Sequence, residues 1–109
     1  MKRKKIIARE FRNHAKDIHD YIAENSPKNA EKFQQKILHE MAKIESDPTA
    51  NPPVTNFPNK TKRNRYRTFM KSFKIVYKVL KEVLVFAGIL HKSQDNKAYN
   101  ELRKRKYEV

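Results

Sequence analysis

Apolar residues along this chain change their spacing three times, and each change marks an element. Lys4-Lys5-Ile6-Ile7 reads as a short strand. Phe11, Ala15, Ile18 and Ile22 then recur at the spacing of one helical stripe. Asn25-Ser26-Pro27 interrupts that stripe: Ser26 suits a helix N-cap, and Pro27 suits the first helical position, where its missing N–H costs nothing. Ala30, Phe33, Ile37, Met41 and Ile44 form a second stripe, with Leu38 expected to widen it, until Asp47-Pro48 stops the helix. So short a link predicts an antiparallel helical hairpin with both apolar faces turned the same way.

From Tyr66 the period becomes two. Tyr66 to Met70 alternates, and in Phe73 to Leu80 the residues Phe73, Ile75, Tyr77 and Val79 oppose Lys74 and Lys78. Val83 to Leu90 is apolar throughout, as a strand covered on both faces requires. The links at Lys71-Ser72 and Lys81-Glu82 are short enough for hairpins but lack Asn-Gly chemistry. Between the helices and these strands lies a Pro/Asn/Thr loop, 48–64, which Val54 and Phe57 are expected to pin to the core. Asp95 or Asn96 is expected to cap a last, highly charged helix reaching Arg105. The predicted fold is α+β, in the order β-α-α-β-β-β-α: an antiparallel β-sheet with an N-terminal helical hairpin packed on one face and basic side chains on the other. The whole of 1–109 reads as one domain, with a basic C-terminal helix and tail over about 95–109.

Charge adds a second layer. The chain of 109 residues has a net charge of +14, and between Pro48 and Lys81 it carries Lys60, Lys62, Arg63, Arg65, Arg67, Lys71, Lys74, Lys78 and Lys81 without one acid. Cations held on a sheet have fixed positions, so a nucleic-acid-facing surface is the first expectation, or else an acidic partner that neutralises the excess. No cysteine is present, which removes disulfides and zinc–thiolate sites and fits a reducing cytoplasm. MKRKKIIAREF lacks the long apolar run of a signal peptide, and no stretch reaches the roughly 20 apolar residues of a membrane span. Gly88 is the one glycine, so phosphate-cradling loops are excluded and no cofactor is expected. His14, His19 and His39 lack the spacing of a zinc helix motif and read as surface or packing residues, so no metal is expected either.

Three stretches, AKDIHDYIAENSPKNAEKFQQKILHEMAKIESDP, RYRTFMKSFKIVYKV and VLVFAGILHKSQD, resemble the RelE/ParE superfamily of bacterial type II toxin–antitoxin toxins. The likeness covers roughly Ile6 to Tyr99, and the DYIAENSP corner is particularly ParE-like. It implies a cytoplasmic toxin neutralised by a small acidic antitoxin. RelE-like members cut messenger RNA on the ribosome without a metal, whereas ParE-like members inhibit DNA gyrase and are not known as nucleases.

Laid on the RelE pattern, Arg65 and Arg67 take the places of two basic residues on the second strand, Lys74 that of an arginine on the third, and Tyr99 that of a helical tyrosine. The period of two puts Arg65 and Arg67 on one face, and Lys74 is expected to share it across the hairpin. Cleavage through the 2′-OH needs cations, a base and an acid. Guanidinium stays protonated, so the base falls to Tyr99, His91 or a lysine of depressed pKa. Lys60, Lys62, Arg63, Lys71, Lys78 and Lys92 would bind RNA. The departures are Lys74 in place of arginine, Ser93 where an arginine is expected, and no glutamate base between Pro48 and Lys81. Each residue also has a plain role: Arg65 and Arg67 as a solvated sheet face, His91 as a strand-end hydrogen-bonder, Tyr99 as a helix anchor. A ribosome-dependent endoribonuclease stands narrowly ahead of a non-catalytic gyrase inhibitor, with a non-toxic nucleic-acid-binding domain third.

Overall fold

The structure, a computed structural model, describes residues 3–55 and 63–91. The expected last helix, Phe57, Lys60, Lys62, Lys92 and Tyr99 lie outside those residues.

Strand β1 (Lys4–Ile7) leads into helices α1 (Arg9–Asn25) and α2 (Pro27–Ser46). One residue separates the helices. Ser26 is extended, its N–H closes α1 on the Ile22 carbonyl at 2.9 Å, and its Oγ accepts from Asn29 N at 3.2 Å. A cap of this kind contributes about 1 kcal/mol. Pro27 at the first position of α2 completes the corner that the sequence predicts.

Strands β2 (Asn64–Phe69), β3 (Phe73–Val79) and β4 (Val83–His91) follow, and the sheet order is β1-β4-β3-β2. The consecutive strands pair antiparallel as expected. β1 adds to β4 in parallel, so the sheet as a whole is mixed. The reason is topological: two antiparallel helices return the chain to the end where it began, and the meander then brings β4 alongside β1 in the same direction. A bulge leaves Ala87 unpaired, because Val76 faces Gly88 while Tyr77 faces Phe86.

Phe11, Phe33, Ile37, Met41 and Ile44 from the helices bury against Phe69, Ile75, Tyr77, Val79, Leu84, Phe86 and Ile89. Leu38 does not widen the α2 stripe; it is 64% exposed, and the stripe's buried charged position is Glu40. The opposite sheet face is not simply basic. It holds a second apolar cluster of Val54, Val76, Ala87 and Leu90, with Tyr66 against it. Val54 arrives there because the preceding loop runs along β2, with Tyr66 N donating to Pro52 O at 3.1 Å and Val54 N to Asn64 O at 2.8 Å. Burial on both faces accounts for the unbroken apolar text of β4.

Residues 70–72 connect β2 to β3. Met70 and Lys71 have φ of 51° and 62°, the left-handed region. Neither is glycine, and the conformation costs such residues about 1–2 kcal/mol each.

Candidate functional site

The site begins with the register of the β2–β3 hairpin. Arg65 lies opposite Tyr77 and Arg67 opposite Ile75, while Thr68 lies opposite Lys74. Cross-strand partners point to the same side. Arg65 and Arg67 therefore share the face of Ile75 and Tyr77, which the helices cover. Lys74 lies on the other face, its Nζ 4.6 Å from the centre of the Tyr66 ring. The expectation that Lys74 joins the two arginines on one face is overturned. Alternation along β3 sets Lys74 against the side that Ile75 must take to reach the core.

Both arginines are engaged within the protein. Arg67 Nε donates to Glu40 Oε2 at 2.8 Å, and its Nη1 donates to Asn51 Oδ1 at 3.1 Å. Arg65 Nη1 donates to the carbonyls of Asn51 and Thr49, at 2.7 and 3.1 Å. Asn51 Nδ2 donates to the Tyr77 hydroxyl at 3.1 Å, which in turn donates to Pro48 O at 2.6 Å. A network thus runs from α2 through β2 and the 48–51 segment to the centre of β3. It ties down a segment that Pro48, Pro52 and Pro53 punctuate. Arg65 Nε is buried and makes no hydrogen bond, so the network is not fully satisfied.

Glu40 is the acid of this network. Its side chain is 6% exposed against 27% for Arg67, and Lys36 Nζ approaches its other oxygen at 3.4 Å. Burial pushes the Glu40 carboxyl up, but the Arg67 hydrogen bond and charge, helped by Lys43 and Lys36, outweigh it and hold the group below the ordinary glutamate value. Tyr77 moves the other way. Burial raises its hydroxyl, and the hydrogen bond from Asn51 with the charges of Arg65 and Arg67 offsets only part of that.

Glu40 and Asn51 escaped the sequence reading. A signal for Glu40 was present: with Phe33, Ile37 and Ile44 it completes i, i+4, i+7, i+11, so it occupies a stripe position and needs a buried cation. Asn51, in a loop of unremarkable text, has no such signal.

The remaining candidates scatter. His91 ends β4 with its ring edge-on to Phe73, 5.8 Å between centres, on the helix-covered side. Arg63 and Lys71 are exposed, and Lys78 is half-buried on the Lys74 side. His14 packs between α1 and β4 and holds a backbone group there. Its Nδ1 accepts from Ile89 N at 3.0 Å, beyond the point where β1 stops pairing with β4. Its proton then sits on Nε2.

A groove of about 410 Å³ lies between α1, α2 and β1. Ile7, Phe11, Phe33 and Ile37 line it, and so do Lys5 and Arg12. Among the described residues no three His, Cys, Asp or Glu side chains are grouped to hold a metal, and no helix is long and apolar enough to cross a membrane.

No curated protein matches the chain. Residues 6–96 match the family described as ParE toxin of type II toxin-antitoxin system, parDE. That span takes in the helical hairpin, all of β2, β3 and β4, and every member of the Glu40–Arg67–Asn51–Tyr77 network. The chain belongs to the ParE toxin family, within the RelE/ParE superfamily of type II toxin–antitoxin toxins.

Proposed function

We propose that the protein arrests growth by binding its target rather than by cutting RNA, and that the target is DNA gyrase, as the ParE likeness implies. The observation that carries this reading is the engagement of Arg65 and Arg67. Their donors are directed to Glu40, Asn51 and Thr49, while Lys74 projects from the opposite face. Stabilising a breaking phosphodiester calls for several cations converging on one point, free to meet phosphate oxygens. Arg65 and Arg67 act here as positioning residues that fix the 48–51 segment against the sheet.

Ribosome-dependent cleavage of messenger RNA is the second reading. The acid-free basic run through β2 and β3 favours it, and His91 is its candidate base within the described residues. The antitoxin partner follows from family membership. Its acidic, amphipathic segment fits the groove between α1, α2 and β1, where an apolar floor is flanked by Lys5 and Arg12.

The test runs two assays on one purified preparation. Inhibition of gyrase supercoiling with intact messenger RNA in primer extension is the expected result. Cleavage within translated codons, with supercoiling untouched, reverses the order of the two readings.

A further inference from the structure

The β2–β3 connection is built in a way the fold does not require. Three-residue hairpin loops ordinarily place a glycine where the backbone turns left-handed. Here Met70 and Lys71 are left-handed in succession, neither is glycine, and the loop's own bond is Ser72 N to Met70 O at 2.7 Å. Met70 is 45% exposed and Lys71 is exposed, so neither side chain returns the cost of its backbone by packing. Strain that local contacts leave unexplained points to the side chains it presents.

The base of this tip is packed on aromatic rings. Phe69 and Phe73 flank the loop with ring centres 5.7 Å apart, and Phe33 of α2 lies 6.0 and 5.6 Å from them. His91 closes the cluster against Phe73. A strained loop on an aromatic platform presents an apolar head and an adjacent cation with little orientational freedom, which keeps the entropy lost on binding small.

We propose that Met70 and Lys71 form a target-binding tip that inserts into an apolar slot bordered by carboxylates on a partner protein. Met70 supplies an unbranched, polarisable side chain suited to such a slot. Lys71 sets the sign of its border, and no acid occurs from Arg63 to Lys81 to soften that preference. Nucleic acid fits less well, since phosphates would meet the cation but leave the methionine without a partner. The proposal rests on the binding reading of the function.

The test exchanges the tip for residues that adopt its backbone without strain, Met70→Asn with Lys71→Gly. The variant should keep its circular dichroism and melt about 4 °C or more above the wild type, as relief of about 1 kcal/mol predicts for a domain of this size. Its affinity for purified gyrase should fall by about tenfold or more, as for a binding hot spot, and growth arrest on induction should be lost. A folded variant that arrests growth as strongly as the wild type overturns the proposal. Should the exchange prevent folding, Met70→Ala with Lys71→Ala removes the side chains while leaving both positions non-glycine, and retained arrest there is equally fatal. Wild type that arrests growth without binding gyrase refutes the choice of target, while the growth arm still decides the tip. Loss of salt-dependent affinity for RNA or DNA in the exchanged variant, with protein binding intact, overturns the partner class.

Discussion

The two faces of the β2–β3 hairpin carry the same charge and use it in opposite ways. On the helix-covered face, Arg65 and Arg67 meet a carboxylate, a side-chain amide and two backbone carbonyls. On the other, Lys74 lies over the Tyr66 ring beside a small apolar cluster, and Lys78 shares its side. The strands are the same and the residue spacing is the same. What differs is the supply of acceptors, which comes from α2 and from residues 48–51. A row of cations in sequence is therefore not yet a site: the acceptors within reach decide whether a cation is a structural tie or remains open to a ligand.

The largest effect should come from cutting the tie. Arg67→Ala leaves Glu40 buried without its hydrogen-bonded cation, with Lys36 and Lys43 as weaker neighbours, and should destabilise the protein by about 3 kcal/mol in chemical denaturation, as broken buried pairs do. Replacing both partners by methionine should recover most of that loss, since it removes the charge left without its partner. An Arg67→Ala protein as stable as the wild type would place the arginine among the open cations, and the contrast between the faces would collapse.

Tyr77→Phe tests the far end of the network. It removes the donor to Pro48 O and the acceptor for Asn51 at a residue with no exposed surface, and should cost about 1–3 kcal/mol by the same denaturation. The 48–51 segment should also exchange its amide protons faster, because its anchor to β3 is gone.

Acid probes the same face more gently. A carboxyl held below its ordinary value adds stability that is fully present above the unfolded value, here 4.5, and is lost as the pH falls through the lower folded value. The melting temperature should therefore drop on acidification below that point, and Glu40→Gln should flatten this limb. A limb unchanged by Glu40→Gln assigns the acid sensitivity to other carboxylates.

Lys74→Ala should do least. A half-exposed cation over a tyrosine ring contributes about 0.5–1 kcal/mol, so this variant should melt only a few degrees below the wild type. A loss as large as that of Arg67→Ala would mean that the fold depends on cations of the second face as much as on those of the first.

Much of this arrangement was legible from the residues. The Ser26-Pro27 corner, the two helical stripes and the doubly buried β4 follow from capping chemistry and apolar spacing, which are local. The direction of β1 was not, because Lys4-Lys5-Ile6-Ile7 reads the same in a parallel or an antiparallel pair. The pairing of Arg65 with Arg67 on one face followed from the period of two. Which face that is depended on β3, where Ile75 and Tyr77 must reach the helices and so carry the arginines with them. Glu40 was missed, although a charge at a stripe position of α2 marks it. The place of Asn51 depends on where a proline-rich loop comes to rest, and no periodicity records that.

If Arg67 serves the fold and does not act on a substrate, growth arrest should survive its removal from a folded protein. The Glu40→Met, Arg67→Met protein tests it most directly, because the exchange removes the guanidinium while replacing the ion pair with apolar side chains that can fill its place. Growth arrest on induction, measured beside thermal melting, should persist at the wild-type level in a folded protein. A folded double variant that no longer arrests growth would return Arg67 to the reacting or target-contacting groups.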